Sequence, residues 1–416
     1  MIFNYIENIY YKLCINIIIY KFIYLMDEFN FEKLPTIIID IGLRYSKVGF
    51  SLEPEPKKII KSPEFFDLDA FLNDKLENGK LNTNNILAYQ RDFNKVKFEI
   101  EEFINHIINY DLMIKKMQRE KNYICLLLID YKIKDNFKQI YEYIVETLFS
   151  YNIISTIRVS PKNIFPVFSS GYPSGIIVNC GYAYSTITVV NDGIDIYSRE
   201  FDLSVSLLMK HYKTMILNDN KNIKEKHFSK KLNKYLEDIL IRTCVIVNLK
   251  LSEKLYNDEK QIQGEDNFTK IENYEGLEPF NISFLSRVKI GELLFDVNGE
   301  NSLAYELCDI ILNKIPSEIK KKVVSNIILS GGMTMLYGFY KRFIEEVTDW
   351  IQKDEFKKLA TVIESMNMHQ IILPRNCLSW IGASLLTNFD KLKYNKQIIK
   401  DEETGKLDKE ISKLFE

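Results

Sequence analysis

Histidine and tryptophan are scarce in this sequence, with four histidines and two tryptophans in 416 residues. His106, His211, His227 and His369 form no cluster along the chain, so neither a zinc site nor a histidine-based hydrolase has a motif to stand on. The six cysteines (Cys14, Cys125, Cys180, Cys244, Cys308, Cys377) stand singly, several inside apolar runs. With no metal or redox spacing among them, they read as small buried hydrophobes in a reducing compartment. Charge of one sign is also missing. The net charge of −2 excludes a strongly basic domain and makes direct nucleic-acid binding an unlikely class. The lysine-rich stretch Lys221 to Lys234 reads as a solvated face or loop.

Long apolar runs are absent. The longest, Leu13 to Tyr20, is bounded by Lys12 and Lys21 and contains Asn16. A spanning helix needs about 20 apolar residues, so no stable membrane span is expected, and a short anchor is the alternative. A cleavable leader lacks both its basic start and its small-residue site. The polar stretch from Met26 precedes the first clear strand. Residues 1–33 are therefore expected to lie outside the fold, with Met26 a plausible alternative start.

What is present is the composition of a folded globular chain, 46% hydrophobic and 27% charged, long enough for two cores. Strand patterns at Thr36–Ile39, Ile124–Ile129, Gly175–Val178, Ile187–Val190 and Ile327–Leu329 alternate with helical ones. The helical patterns cover Val96–Asn109, Phe137–Tyr151, Val205–Met215, Leu232–Leu249, Leu303–Lys314, Gly338–Trp350 and Trp380–Phe389. Such alternation predicts an α/β fold with mixed sheets. Glu64–Lys95, Leu217–Lys234 and Asn257–Glu278 are too polar to pack a core and read as loop-rich excursions or small subdomains.

Two stretches echo each other. TIIIDIGLRYSKVGFSLE (36–53) and GIIVNCGYAYSTITVVNDG (175–193) each run from a buried strand through Asp or Asn, one residue and Gly into a second strand. Asp40 and Asn179 are 139 residues apart (179 − 40). Two related lobes, each opening with a hairpin, would give this pattern, as would chance recurrence of a common unit. Further on, NIILSGGMTMLYGF (326–339) breaks a buried run at Ser330-Gly331-Gly332 before a helical pattern. Adjacent glycines there suit either close approach to an anionic ligand near a helix start or a plain strand-to-helix turn.

Two strands ending in Asp-x-Gly or its Asn variant, with a later Gly-Gly turn, resemble the actin, sugar-kinase and chaperone ATPase superfamily. The nearer resemblance is to actin-related proteins. It rests on IILSGGMTMLYGF (327–339), SWIGASLL (379–386), Lys47-Val48-Gly49-Phe50 and the tail around Lys396-Gln397. The segments NCGY (179–182) and EDILIRTC (Glu237–Cys244) look most like the actin-related subunit at the pointed end of dynactin.

The resemblance implies a two-lobed α/β actin-like ATPase fold, each lobe a mixed sheet with flanking helices and a smaller inserted subdomain. The first lobe is expected at 34–170 with 371–416 returning to it, the second at 171–370. ATP or ADP with Mg2+ is the implied cofactor, held by Asp40, Gly42, Lys47, Gly181, Gly331 and Gly332, with Asp40 serving the metal through its waters. The resemblance also marks departures. Leu43 and Arg44 replace a small-residue turn, Asn179 the second Asp, and Tyr182-Ala183 an Asp-Gly. Lys162 stands where the family has a water-positioning glutamine. Leu240, Ile241, Leu336 and Asn376 replace polar groups or a tyrosine near the nucleotide. An ammonium has no acceptor with which to orient water. Hydrolysis is therefore not expected, and the cleft either holds nucleotide weakly or serves only as a hinge. The implied role is structural, among other actin-family or complex subunits, in the cytoplasm and cytoskeleton. The alternatives are a nucleating or chromatin-remodelling complex, the latter nuclear, or a slow ATPase. Self-assembly into filaments is not expected.

Overall fold

The computed structural model describes residues 36–63, 93–114, 123–130, 137–221, 223, 225–257, 268–295, 302–369, 371–386, 396–399, 407 and 410–415. Expectations for residues 1–33, for 64–92 and for 258–267 lie outside these. The chain divides into two compact units. One comprises Met1–Pro173 with Gln370–Glu416, the other Ser174–His369.

The first unit is built on β1 (Ile37–Asp40), β2 (Tyr45–Phe50), β3 (Lys58–Lys61), β4 (Tyr123–Ile129) and β5 (Ile154–Pro161). Strand Lys396–Ile399 joins them in the order Lys396–Ile399, β5, β4, β1, β2, β3. The β1–β4 and β4–β5 pairs are parallel, and the others antiparallel. Parallel strands are covered on both faces, which is why β1 and β4 read as near-continuous apolar runs. Helices α1 (Phe93–His106) and α2 (Lys138–Ser150) belong to this unit. The returning helix Leu378–Leu386 brings Trp380 into the core, and its indole N–H donates to the Ile38 carbonyl at 3.3 Å. Burying an indole with its donor satisfied is a strong reason for the C-terminal segment to return here.

The second unit holds β6 (Gly175–Cys180), β7 (Ser185–Asn191) and β8 (Ile194–Phe201), with the later strand β11 (Ile327–Ser330) at the far edge next to β6. Between them in sequence lie α3 (Val205–Asp219), α4 (Glu225–Thr243) and α5 (Leu249–Asn257). A small hairpin of β9 (Phe268–Ile271) and β10 (Phe280–Ser283) follows, then α6 (Phe284–Glu292), α7 (Leu303–Asp309) and α8 (Ser317–Val324). β11 (Ile327–Ser330) and α9 (Phe339–Gln352) come next.

The two units repeat one plan. A strand pairs antiparallel with the next and parallel with a later one: β1 with β2 and β4, β6 with β7 and β11. Asp40 faces Lys47 across the first hairpin, and Asn179 faces Thr186 across the second, at the same offset along the chain. Each parallel partner is preceded by a helix whose last turn widens into a π turn, Ile107–Asp111 after α1 and Ile310–Lys314 after α7. Both π turns begin on a buried isoleucine pair, Ile107–Ile108 and Ile310–Ile311. The sequence periodicity reads both segments as continuous α-helix, so the widened turns are a correction.

Two further expectations change. Leu232–Leu249 is not one helix. α4 ends at Thr243, residues 244–248 are irregular, and α5 begins at Leu249. The reason is tertiary. The Arg287 guanidinium donates to the Thr243 carbonyl at 2.8 Å, and the Val245 N–H donates to the Arg287 carbonyl at 3.1 Å. Leu217–Lys234 is largely helical rather than loop-rich. Phe228, Leu232, Leu236 and Ile239 face the core at helical spacing, while Lys231 and Lys234 stay exposed.

Candidate functional site

Asp40 ends β1, and its carboxylate is only 2% exposed. One oxygen, Oδ2, lies 3.3 Å from the Lys47 ammonium on β2. The other, Oδ1, is buried with no hydrogen-bond partner among the described residues. A buried carboxylate oxygen left unsatisfied calls for a donor or cation from outside the protein. A water in the shell of a hard cation is such a donor, so Asp40 with Lys47 fits one end of a magnesium–phosphate group.

Gly42 opens the turn that follows. A Cβ there would sit 2.1 Å from the Tyr45 carbonyl oxygen, so the close turn excludes a side chain. Leu43 and Arg44, which replace a small-residue turn, do not carry positive φ, so their backbone is not strained there. Ser62 fixes the turn from beneath, its hydroxyl donating to the Gly42 carbonyl at 2.6 Å and its N–H to the Arg44 carbonyl at 3.0 Å.

Lys162 follows β5 at the start of a 3-10 segment, Lys162–Ser170. Its ammonium donates to the Ile41 carbonyl at 3.4 Å and lies 3.6 Å from the Asp130 carboxylate. Asp130 was not singled out from sequence. Its only signal is a carboxylate directly after the apolar strand β4, whose last residue, Ile129, pairs with Pro161. The first hairpin carries the pair Lys47–Asp40, and a second pair, Lys162–Asp130, from the ends of β5 and β4, is tied to it through the Ile41 carbonyl. Cys377 lies near the first of them, but burial pushes its thiol up to about 11, so it offers no thiolate.

In the second unit, Gly181 has the role that Gly42 has in the first. A Cβ there would lie 2.8 Å from the Tyr184 carbonyl, to which the Gly181 N–H itself donates at 3.1 Å. The start of α3 is tied to this hairpin. The N–H groups of Val205 and Ser206 donate to the carbonyls of Gly181 and Tyr182, and the Ser204 hydroxyl accepts from the Leu207 N–H. The helix start is thereby capped by the chain itself. Cys180 contributes no thiolate either, since burial raises it to about 12.

Gly331 and Gly332 part company. Gly331 has φ +94° and ψ 157°, a region open in practice only to glycine. A Cβ on it would meet the Cys180 carbonyl oxygen at 2.2 Å. Packing alone therefore accounts for Gly331. A Cβ on Gly332 would meet nothing within 4 Å, so the fold makes no demand for glycine there. The pair leads not into the long helix but into a short 3-10 turn, Gly332–Met335, and α9 starts only at Phe339.

The residues expected near a base differ in burial and in the unit that carries them. Leu240 and Leu336 are buried in the core of the second unit, whereas Ile241 is 61% exposed. Asn376 lies in the other unit, in a short turn where its side chain accepts from the Cys377 thiol at 3.5 Å. Leu240 and Leu336 therefore have a packing explanation and Ile241 faces solvent. Among the described residues, no group of three or more His, Cys, Asp and Glu gathers as a metal site, and no helix is long and apolar enough to cross a membrane.

The sequence model of the Actin family matches residues 31–404, most of the chain. Among similar proteins, Centractin of Saccharomyces cerevisiae is 23% identical over 87% of this chain and 92% of its own length. Actin-like protein 9 of Rattus norvegicus is 22% identical over 86% of this chain and 83% of its own. Putative actin-29 of Dictyostelium discoideum is 22% identical, covering 89% of this chain and 95% of its own.

Proposed function

This chain belongs to the actin family, and on that premise we propose that it is a non-catalytic, actin-related structural subunit of a cytoskeletal assembly. One observation carries the reading. Lys162 stands where the resemblance places a water-orienting glutamine, and its ammonium is held by Asp130 and the Ile41 carbonyl. A protonated amine donates only, so it neither orients nor deprotonates an attacking water. Loss of such a group costs about 10²–10⁴ in rate. Asn179, where the family has a second carboxylate, removes a charge from the same chemistry.

Weak binding of ATP or ADP with Mg2+ fits the residues that remain. Asp40 would face the waters of the cation and Lys47 a phosphate. Gly42 and Gly181 would let backbone come close, with Gly331 and Gly332 lining the turn. The cation would neutralise phosphate charge, while the Lys162 ammonium supplies no base for cleavage.

The likeness to Centractin and the segments around Gly181 and Glu237–Cys244 support a cytoplasmic role. That role is capping a short actin-like filament as in dynactin, among other actin-family subunits. Membership of a nucleating or chromatin-remodelling complex is the alternative, and mass spectrometry of the tagged, natively purified chain separates them. Co-purification with dynactin-type subunits is expected. Recovery of the chain alone would overturn the assembly reading. Single-turnover ATP hydrolysis that Asp40→Ala abolishes would overturn the non-catalytic one.

A further inference from the structure

Helices α1 and α2 pack side by side in the first unit, and a groove of about 490 Å³ runs between their outward faces. Each helix lines it with the same spacing. α1 gives Phe98, Glu101, Glu102 and Asn105, at i, i+3, i+4 and i+7. α2 gives Tyr143, Glu146, Thr147 and Ser150, again at i, i+3, i+4 and i+7. Residues so spaced form one stripe along a helix, so two parallel-sided stripes about 10 Å long face the valley.

The lining is aromatic and acidic. Phe98 is 59% exposed, and among the described residues no ring packs on it. The Tyr143 hydroxyl donates to the Glu101 carboxylate across the groove, and the Tyr151 hydroxyl donates to Asn105 at 3.3 Å. These bonds fix the aromatic walls. Glu102 and Glu146 carry no ion pair among the described residues, and the groove lining contains no lysine or arginine. Lys97, beside the groove, places its ammonium over the rings of Phe93 and Tyr143, at 5.2 and 4.8 Å. The Glu101 hydrogen bond, burial and the Glu101 and Glu146 charges push the Tyr143 hydroxyl up to about 12, so it stays a neutral donor to Glu101.

We propose that the α1–α2 groove docks a basic, amphipathic helix of a partner protein. Glu102 and Glu146, without an ion pair among the described residues, and Glu101, bonded to the Tyr143 hydroxyl, together select cations, and an exposed phenyl ring beside them selects a cation that also stacks. Arginine meets both demands, because its guanidinium pairs with carboxylates and lies flat on aromatic rings. A helix is the matching shape, since its ridges fit the valley between two packed helices. The inference stands apart from the reading of the nucleotide hairpins and is tested without nucleotide.

The test is fluorescence anisotropy on the full chain. The probe is a labelled helical peptide of about 15 residues, four turns, with leucine on one face and arginine and lysine on the other. A counterpart carries glutamate at every cationic position. Saturable binding of the basic peptide is expected, with none of the acidic one. Glu101→Gln, Glu102→Gln and Glu146→Gln together should weaken binding at least tenfold. Phe98→Ala should weaken it even in salt that screens charge. Glu99→Gln, outside the groove and facing Lys95, should leave it unchanged. No binding, equal binding of the acidic peptide, or an equal loss in Glu99→Gln would overturn the proposal, as would groove variants that bind like the parent. Sedimentation showing self-association that the triple variant abolishes would assign the groove to a second copy and overturn it too. All the altered side chains are at least partly exposed, and thermal melts of each variant confirm folding.

Discussion

Replacing Gly331 by alanine separates a fold requirement from a ligand requirement. The new Cβ would stand 2.2 Å from the Cys180 carbonyl oxygen, 2.7 Å from its carbon and 2.9 Å from its nitrogen. All three are backbone atoms of a strand paired on both sides, so they cannot swing away. Forcing a non-glycine into this φ, ψ region costs about 1–3 kcal/mol. Overpacking against a fixed neighbour adds about 1–3 kcal/mol. The sum is about 2–6 kcal/mol. Against a urea slope of about 3 kcal/mol per molar, a mid-range loss lowers the midpoint of the second unit by more than about 1 M. The assay is urea unfolding in nucleotide-free buffer, followed by far-UV circular dichroism. Gly332→Ala is the control, because no atom lies within 4 Å of its Cβ and its φ is not positive. Its midpoint should stay level or rise slightly, since alanine narrows the unfolded ensemble. Equal midpoints for the two variants would refute the packing argument. So would a Gly331→Ala loss that appears only when nucleotide is present.

Three further outcomes follow from the same structure. Arg342 is wholly buried, bonded to Glu292, Glu346, Ser252 and the Val247 carbonyl, with its guanidinium over the Phe295 ring. Arg342→Met should cost about 3–5 kcal/mol at neutral pH, because two buried carboxylates lose their cation. Burial already raises the Glu346 pKa against the pull of Arg342. A raised folded-state pKa means stability present at acid pH and lost as pH rises, so the variant should regain stability on acidification. Urea midpoints at neutral pH and in the ordinary glutamate range check the sign. Tyr212 and Thr243 share a buried hydroxyl–hydroxyl bond of 2.5 Å, and Tyr212→Phe should cost about 1–2 kcal/mol by leaving Thr243 underused. Concentrated protein with ATP and Mg2+ should not sediment as filaments, because head-to-tail growth needs matched surfaces at both ends. A polymer pellet would refute that.

Much of the frame was legible because it is local. The hairpins of both units follow from buried runs broken at Asp40-Ile41-Gly42 and Asn179-Cys180-Gly181. The internal echo at fixed offset pointed to a shared plan, and both hairpins take up the same register. What escaped depends on partners far away in sequence. The break after Thr243 needs Arg287 and Glu345, the latter accepting from the Leu249 N–H at 2.9 Å. The apolar run Val245–Val247 extends a helical pattern that the backbone abandons. The demand at Gly331 comes from Cys180, a strand away, so adjacent glycines that look alike in sequence differ in role. Asp130 was hidden for the same reason, since nothing beside it in sequence discloses Lys162.

That pair bears most directly on the proposal that this actin-family chain is non-catalytic. A lysine placed at random near a phosphate hairpin would be costly, as a partly buried ammonium needs a counter-charge. Here Lys162 has both a carboxylate and a carbonyl, with its side chain and that of Asp130 mostly withdrawn from solvent. The substitution is therefore integrated into the first unit. A double-mutant cycle of Lys162→Gln and Asp130→Asn measures that integration. Contacting, partly buried groups couple by about 0.5–3 kcal/mol, and exposure at this pair places the expectation near the lower end. The double variant should then destabilise less than the sum of the two single variants. The singles also speak to chemistry. Lys162→Gln restores an amide that can orient water, yet Asn179 remains neutral, so hydrolysis should stay undetectable in a single turnover. Zero coupling would mean that Lys162 is a drifting surface charge. Hydrolysis recovered by Lys162→Gln alone would mean that this lysine was the sole block, and that the remaining residues still form a competent site.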